Sequence, residues 1–196
     1  MPAQLLTMPA DGLAGLLLLL LGLHSGGSPG GPQRIRHPSA IEPMVLSAGS
    51  FSHKGMIPVR QTCDGHNLSP QLSWKGVPTP AKSLVLLLEN PDAPSAKVPS
   101  VHWVLYNMPA QTKELAEGIA ASELPTGTLV GMNDWRGPGY AGPCSSGERH
   151  RYTYRLFALD ARLRDLQSPG KATLEKAMQG HILARAELIG TYQGRP

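Results

Sequence analysis

The chain has 196 residues, a formal net charge of +4 and only 16% charged side chains. Its two cysteines lie far apart with no C-x-x-C, which excludes a zinc ribbon or a thioredoxin motif. No basic run or aromatic-studded basic stripe occurs, so no nucleic-acid partner is expected. The 22 glycines and 19 prolines favour many short strands joined by tight turns.

Leu13 to Leu23 is a dense leucine run, too short for the roughly 20 apolar residues of a bilayer-spanning helix and suited to a signal-peptide core. Residues 1–26 are therefore expected to be an export signal, 27–40 a small-residue linker, and 41–196 the folded domain. The first basic residue is Arg34, and Asp11 has the wrong sign for a leader. A misassigned start with a cytoplasmic protein, or a short uncleaved anchor, stays open. No transmembrane span is expected.

Glu42 to Phe51 alternates weakly and is expected to be a strand, and 57–63 a short extended piece. Asp64-Gly65 and Asn67-Leu68-Ser69-Pro70 are turns, and Gln71 to Trp74 a strand end. Asn67-Leu68-Ser69 is also an N-glycosylation triplet. Leu84 to Leu88 has the composition of a strand buried on both faces, stopped by Pro91 and Pro94. Asn90 and Asp92 thus sit where that strand leaves its sheet. Val101 to Tyr106 is the next strand, and alternation groups His102 with Val104 and Tyr106. A ring such as His102 costs roughly 1–3 kcal/mol if buried without a hydrogen bond.

Residues 109–128 are polar and irregular, with one expected helical turn at 113–117. Gly131 to Gly147 is a long glycine-proline loop, and loops of this length in compact domains are usually functional. It contains Gly137-Pro138-Gly139-Tyr140-Ala141-Gly142, which matches G-x-G-x-x-G but lacks the strand-helix context of a dinucleotide site. It reads instead as a rim whose backbone N–H groups approach a ligand. His150 to Asp160 is the cleanest strand, with His150, Tyr152, Tyr154 and Leu156 on one face and Arg151, Thr153 and Arg155 on a solvated one. Residues 173–179 form a short helix capped by Thr173 and ended by Gly180, and 184–192 a last strand.

His102, His150, Asp92 and Tyr152 are the side chains that can work together. They suit donation to an oxyanion, an acid/base pair or, less well, a metal, since no i,i+4 histidine pair or H-E-x-x-H is present. No nucleophile elbow surrounds Ser145-Ser146-Gly147. His66 is expected to face solvent and His181 to pack or cap. Cys63 and Cys144 leave two readings open: a disulfide in an exported protein, or two buried thiols.

Several segments in order resemble the phosphatidylethanolamine-binding protein family, in its bacterial Raf-kinase-inhibitor-like branch. They are 62–70 with 72–74, Asn90-Pro91-Asp92-Ala93-Pro94, Val101 to Asn107, Gly139 to Cys144, His150-Arg151-Tyr152, and Gly180 to Ala184. The resemblance implies a mainly β antiparallel sandwich with a few short peripheral helices. It implies a small-anion pocket at one end of the large sheet, lined by Asp92, His102, Gly142, Pro143, His150 and Tyr152, for phosphate or a phospholipid head group. In this reading Asn90 and Asp92 orient the imidazoles, no cofactor is needed, and the protein modulates a partner. Alternatives are hydrolysis of a small phosphate or carboxylic ester by the same residues, and inhibition of a kinase or protease through surface loops. Asn90 stands where the family's D-P-D-A-P box has an acid that would hold the histidines cationic. Ser145 and Ser146 replace prolines common after the pocket cysteine.

Overall fold

The computed structural model describes residues 42–93, 100–135 and 137–195, all within the unit Ala40–Pro196. The leader and linker expected at 1–40 lie outside them, as does Pro94.

Among the described residues, eight strands form two antiparallel sheets. The small sheet is β1 (Val45–Ala48), β2 (Leu72–Lys75) and β5 (Glu114–Leu115), in that order. The large sheet runs β6 (Leu129–Val130), β4 (Ser100–Pro109), β3 (Ser83–Asn90), β7 (Arg149–Leu159) and β8 (Ile182–Gln193). Leu46, Leu72, Trp74 and Leu115 of the small sheet pack with Leu84, Leu86, Leu88, Trp103 and Tyr154 of the large one. The expected mainly β sandwich is thereby established. Its peripheral helices are α1 (Lys171–Met178) and single 3-10 turns at Val59–Gln61 and Ala121–Glu123.

All eight residues of β3 are buried, as the run Leu84 to Leu88 predicts. The strand is central in its sheet, and its two faces belong to different cores. Val85 and Leu87 lie in a second cluster with Tyr106, Phe157 and Leu159, which Leu174 and Met178 of α1 cover. Leu174 and Met178 are four residues apart and so share one helix face.

The structure corrects five local expectations. Residues 57–63 are not extended throughout, since Val59–Gln61 is a 3-10 turn: Gln61 N–H donates to the Pro58 carbonyl and Thr62 N–H to that of Val59, and the Thr62 hydroxyl closes the turn on Val59. Residues 113–117 hold β5 rather than a helical turn, because Leu115 pairs with Leu72 at the small sheet's edge. Helix α1 starts before Thr173, with Gly170 at its N-cap position and no side-chain cap. The outer face of β7 is only partly solvated: Thr153 is buried and Phe157 joins the cluster under α1.

The fifth correction concerns His102. Leu88 pairs with Trp103, but Glu89 pairs with Val101, so β4 takes two steps where β3 takes one. This bulge resets the alternation and re-aims a side chain. Val101 joins the α1-side core with Val104 and Tyr106, whereas His102 meets Tyr152, a member of the inter-sheet core.

Leu86 is fully buried in the middle strand. Leu86→Ala is expected to lower unfolding free energy by about 2–5 kcal/mol in chemical denaturation.

Candidate functional site

The site lies where β3, β4 and β7 end beside the loop from Gly131 to Gly147. The loop is strapped to β4 by backbone bonds. Gly131 N–H donates to the Val104 carbonyl, Asp134 N–H to that of Val101, and Ala141 N–H to that of His102. Asp134 Oδ2 accepts Val101 N–H at 2.7 Å, and Asn133 Oδ1 accepts the N–H groups of Trp135 and Gly137.

His102 is tied to this loop through its ring as well. Its Nδ1 lies 2.8 Å from the Ala141 carbonyl oxygen. A carbonyl only accepts, so Nδ1 carries a proton and donates. The ring is 1% exposed, packs edge-on to Tyr152 at 5.2 Å between centroids, and has Trp135 4.4 Å away. Trp135 is itself exposed. Burial lowers the His102 pKa below its ordinary 6.5, against the hydrogen bond to Ala141, the nearby Gly142 backbone and the field of Asp134, which raise it. Among the described residues, Nε2 of this ring is buried without a hydrogen-bond partner.

His150 is also buried, and its Nδ1 is 3.1 Å from Asn90 Nδ2. Asn90 Oδ1 accepts Asp92 N–H at 2.9 Å. Asp92, by contrast, turns its carboxylate to Arg151. Its Oδ1 takes the guanidinium at 2.6 Å, and its Oδ2 takes Nε at 2.9 Å and the backbone N–H at 2.8 Å. Asn90 therefore touches a histidine directly, and Asp92 is joined to it by hydrogen bonds through Asn90. The Arg151 hydrogen bonds hold the Asp92 pKa at about 2, against the opposing push of burial.

Tyr152, Gly142 and Pro143 belong to the rim's framework. The Tyr152 hydroxyl accepts Cys144 N–H at 3.1 Å and donates to the Cys144 carbonyl at 3.0 Å. Burial raises its pKa to about 12, so it stays protonated in this role. Gly142 N–H goes to Asn67 Oδ1 at 2.6 Å, and Cys63 N–H to the Pro143 carbonyl. A Cβ on Gly142 would stand 2.6 Å from Asn67 Oδ1 and 2.7 Å from the Gln61 carbonyl, so only glycine fits. Cys63 and Cys144 form a disulfide with a Cα–Cα distance of 5.4 Å, which settles the two cysteine readings. The rim's amides at Ala141 and Gly142 are thus spent on the protein itself.

Sequence reasoning had no means of finding Trp135, Ala141 and Arg151. The role of Asn67 was open to view only as turn chemistry, and the residue does sit at φ 57°. His66 is exposed, and His181 Nδ1 pairs with Asp160 at 2.8 Å. Among the described residues no group of three or more His, Cys, Asp or Glu is placed to hold a metal ion, and no helix is long and apolar enough to cross a membrane. Open clefts lie elsewhere, one of 590 Å³ beside Trp74 and Lys113 and one of 620 Å³ beside Arg162 and Lys176. The site is a set of buried polar atoms at strand ends.

A family model described as phosphatidylethanolamine-binding protein matches residues 47–193. The chain is 49% identical over 153 residues to a protein named UPF0098 from Methanothermobacter thermautotrophicus, covering 76% of this chain and 99% of that one. A UPF0098 protein of Pyrococcus horikoshii is 34% identical over 187 residues, covering 92% of this chain and 86% of the relative. Among solved structures, the chain resembles a putative phosphatidylethanolamine-binding protein homolog of Chlamydia trachomatis, CT736, with TM-score 0.72 and 39% identity over 78% of this chain and 98% of that one. It also resembles E. coli YbcL, described as a member of the mammalian family, with TM-score 0.73 and 26% identity over 78% and 99%.

A depressed carboxylate adds stability above its unfolded pKa of about 3.9 and loses it as pH falls through the folded value. The stability gap between the wild type and Asp92→Ala is therefore expected to be full at about pH 5 and to close between about pH 4 and 2, read by denaturation at each pH.

Proposed function

Because the chain belongs to the phosphatidylethanolamine-binding protein family, we propose that it binds a small oxyanion, phosphate or a phospholipid head group, at the His102–His150 end of the large sheet. One observation carries this reading. His102 Nε2 is a strong polar atom, buried beside Tyr152 and Trp135, that no described residue satisfies. Such an atom costs roughly 1–3 kcal/mol unless a ligand or water meets it. The Tyr152 hydroxyl, the Asn90 amide and the Gly142 N–H beside it all have protein partners. The site is rigid, because the rim is stapled by the disulfide, by the two-way Tyr152–Cys144 contact and by Asn67. Rigidity suits recognition, since little ordering cost is left to binding.

The protein acts as a binder that modulates a partner, not as a catalyst. Support for the partner is the family resemblance alone. An affinity capture that survives His102→Ala would shift that role to the surface loops. The Cys63–Cys144 bond favours an oxidising compartment, consistent with an export signal.

Isothermal titration with inorganic phosphate tests the site. His102→Ala is expected to weaken binding at least about tenfold while the circular dichroism spectrum holds, and unchanged affinity would count against the reading. Cys63→Ser opens a link spanning 81 positions. It is expected to cost about 4 kcal/mol of stability and to weaken phosphate binding in the same assay.

A further inference from the structure

The two histidines are held by opposite kinds of partner, and the difference fixes where their protons sit. At His102 the partner of Nδ1 is the Ala141 carbonyl, so Nδ1 is the protonated nitrogen and the neutral ring has a bare lone pair at Nε2. At His150 the partner is Asn90, whose amide orientation is set by the backbone. Asp92 N–H can only donate, so the Asn90 oxygen must face it, at 2.9 Å. The NH2 group is left facing His150 Nδ1, at 3.1 Å. Turning the amide over would set NH2 against N–H at Asp92 and lose that bond. His150 Nδ1 is therefore an acceptor, and the proton of the neutral ring sits on Nε2. A nearby carboxylate agrees: Glu148 Oε2 lies 3.9 Å from that Nε2.

The ring positions bring the pair to one end of the sheet. His150 and Tyr152 are side by side on one face of β7, two residues apart. The bulge in β4 turns His102 onto the same Tyr152 ring.

Building on the oxyanion reading above, we propose that His102 and His150 are an unlike pair, an acceptor and a donor, fitted to an oxyanion that keeps one proton: a phosphate or phosphomonoester bearing P–OH. His150 Nε2–H donates to an unprotonated oxygen, and the ligand's P–OH donates to His102 Nε2. A fully deprotonated oxyanion would aim its own lone pairs at that of His102. A phosphodiester has no proton to give. The exposed carboxylate of Glu148 beside His150 and that of Asp134 on the His102 side further disfavour added negative charge, while the Asp92 carboxylate is matched by Arg151. Asn90 is the positioning residue of this arrangement. An aspartate there would accept from Asp92 N–H and from a protonated His150 Nδ1 together.

Two measurements on the intact protein test the proposal. Long-range 15N–1H correlation at about pH 7 reads which ring nitrogens are protonated. The expected result is a proton on Nδ1 of His102 and on Nε2 of His150, with His150 moving its proton to Nδ1 in Asn90→Asp. Finding the two wild-type rings protonated on the same nitrogen, or both doubly protonated, would overturn the pair, and this reading holds even if the variant fails to fold.

The second is isothermal titration at about pH 6.5, where phosphate and a share of glycerol 3-phosphate retain a P–OH. Sulfate and dimethyl phosphate serve as proton-free controls. Phosphate is expected to bind at least about tenfold tighter than sulfate. Glycerol 3-phosphate above dimethyl phosphate by a similar factor would extend the match to a lipid-derived monoester, and its exclusion would leave free phosphate. Equal binding of phosphate and sulfate overturns the ligand class but leaves the oxyanion site standing. If none of the four binds, the oxyanion site itself falls and the ligand class falls with it.

Discussion

A strand buried on both faces has no water to satisfy its polar groups, and β3 is such a strand. Each polar side chain it carries is committed to a specific partner. Ser83 donates to the Ala161 carbonyl at one end. Glu89, 1% exposed, takes Arg155 at 2.8 Å and the ammonium of Lys171 at the start of α1. Asn90, the last residue, spends its oxygen on Asp92 N–H and its NH2 on His150. The same requirement that keeps the core stable therefore sets the protonation pattern at the site. Were Asn90 exposed, its amide could turn freely and His150 could take either tautomer.

The rim answers the same demand from the other side. The loop that covers His102 has few side chains to bury and many backbone groups to satisfy. It satisfies them against β4, against Asn67 and against the Tyr152 hydroxyl. The disulfide joins two loop segments of this rim across a long stretch of chain. Among the described residues, the ε nitrogen of His102 is one of the buried polar atoms left without a partner. The backbone donors at Ala141, Gly142 and Cys144 are already used, so recognition is assigned to the two rings.

Long apolar or alternating runs were legible in the sequence. Leu84 to Leu88 and His150 to Leu159 became the paired centre of the large sheet, because burial and period-two alternation are local signals. The family's segments marked both histidines, and the structure sets both at strand ends of one sheet. What was not legible depended on partners distant in sequence. The bulge that turns His102 appears only when β4 is laid against β3. Arg151 claims Asp92 from 59 positions away, and Ala141 claims His102 from 39. Residues 113–117 follow an edge strand, not their own helical leaning. Asn90 was visible as a departure from the family's acid, but its consequence needed the position of Asp92 N–H.

The most direct examination is a crystal structure of the protein grown with phosphate. The account predicts one phosphate with oxygens about 3 Å from both His102 Nε2 and His150 Nε2. A phosphate seated instead in the basic cleft beside Arg162 and Lys176, with the two histidines untouched, would contradict it.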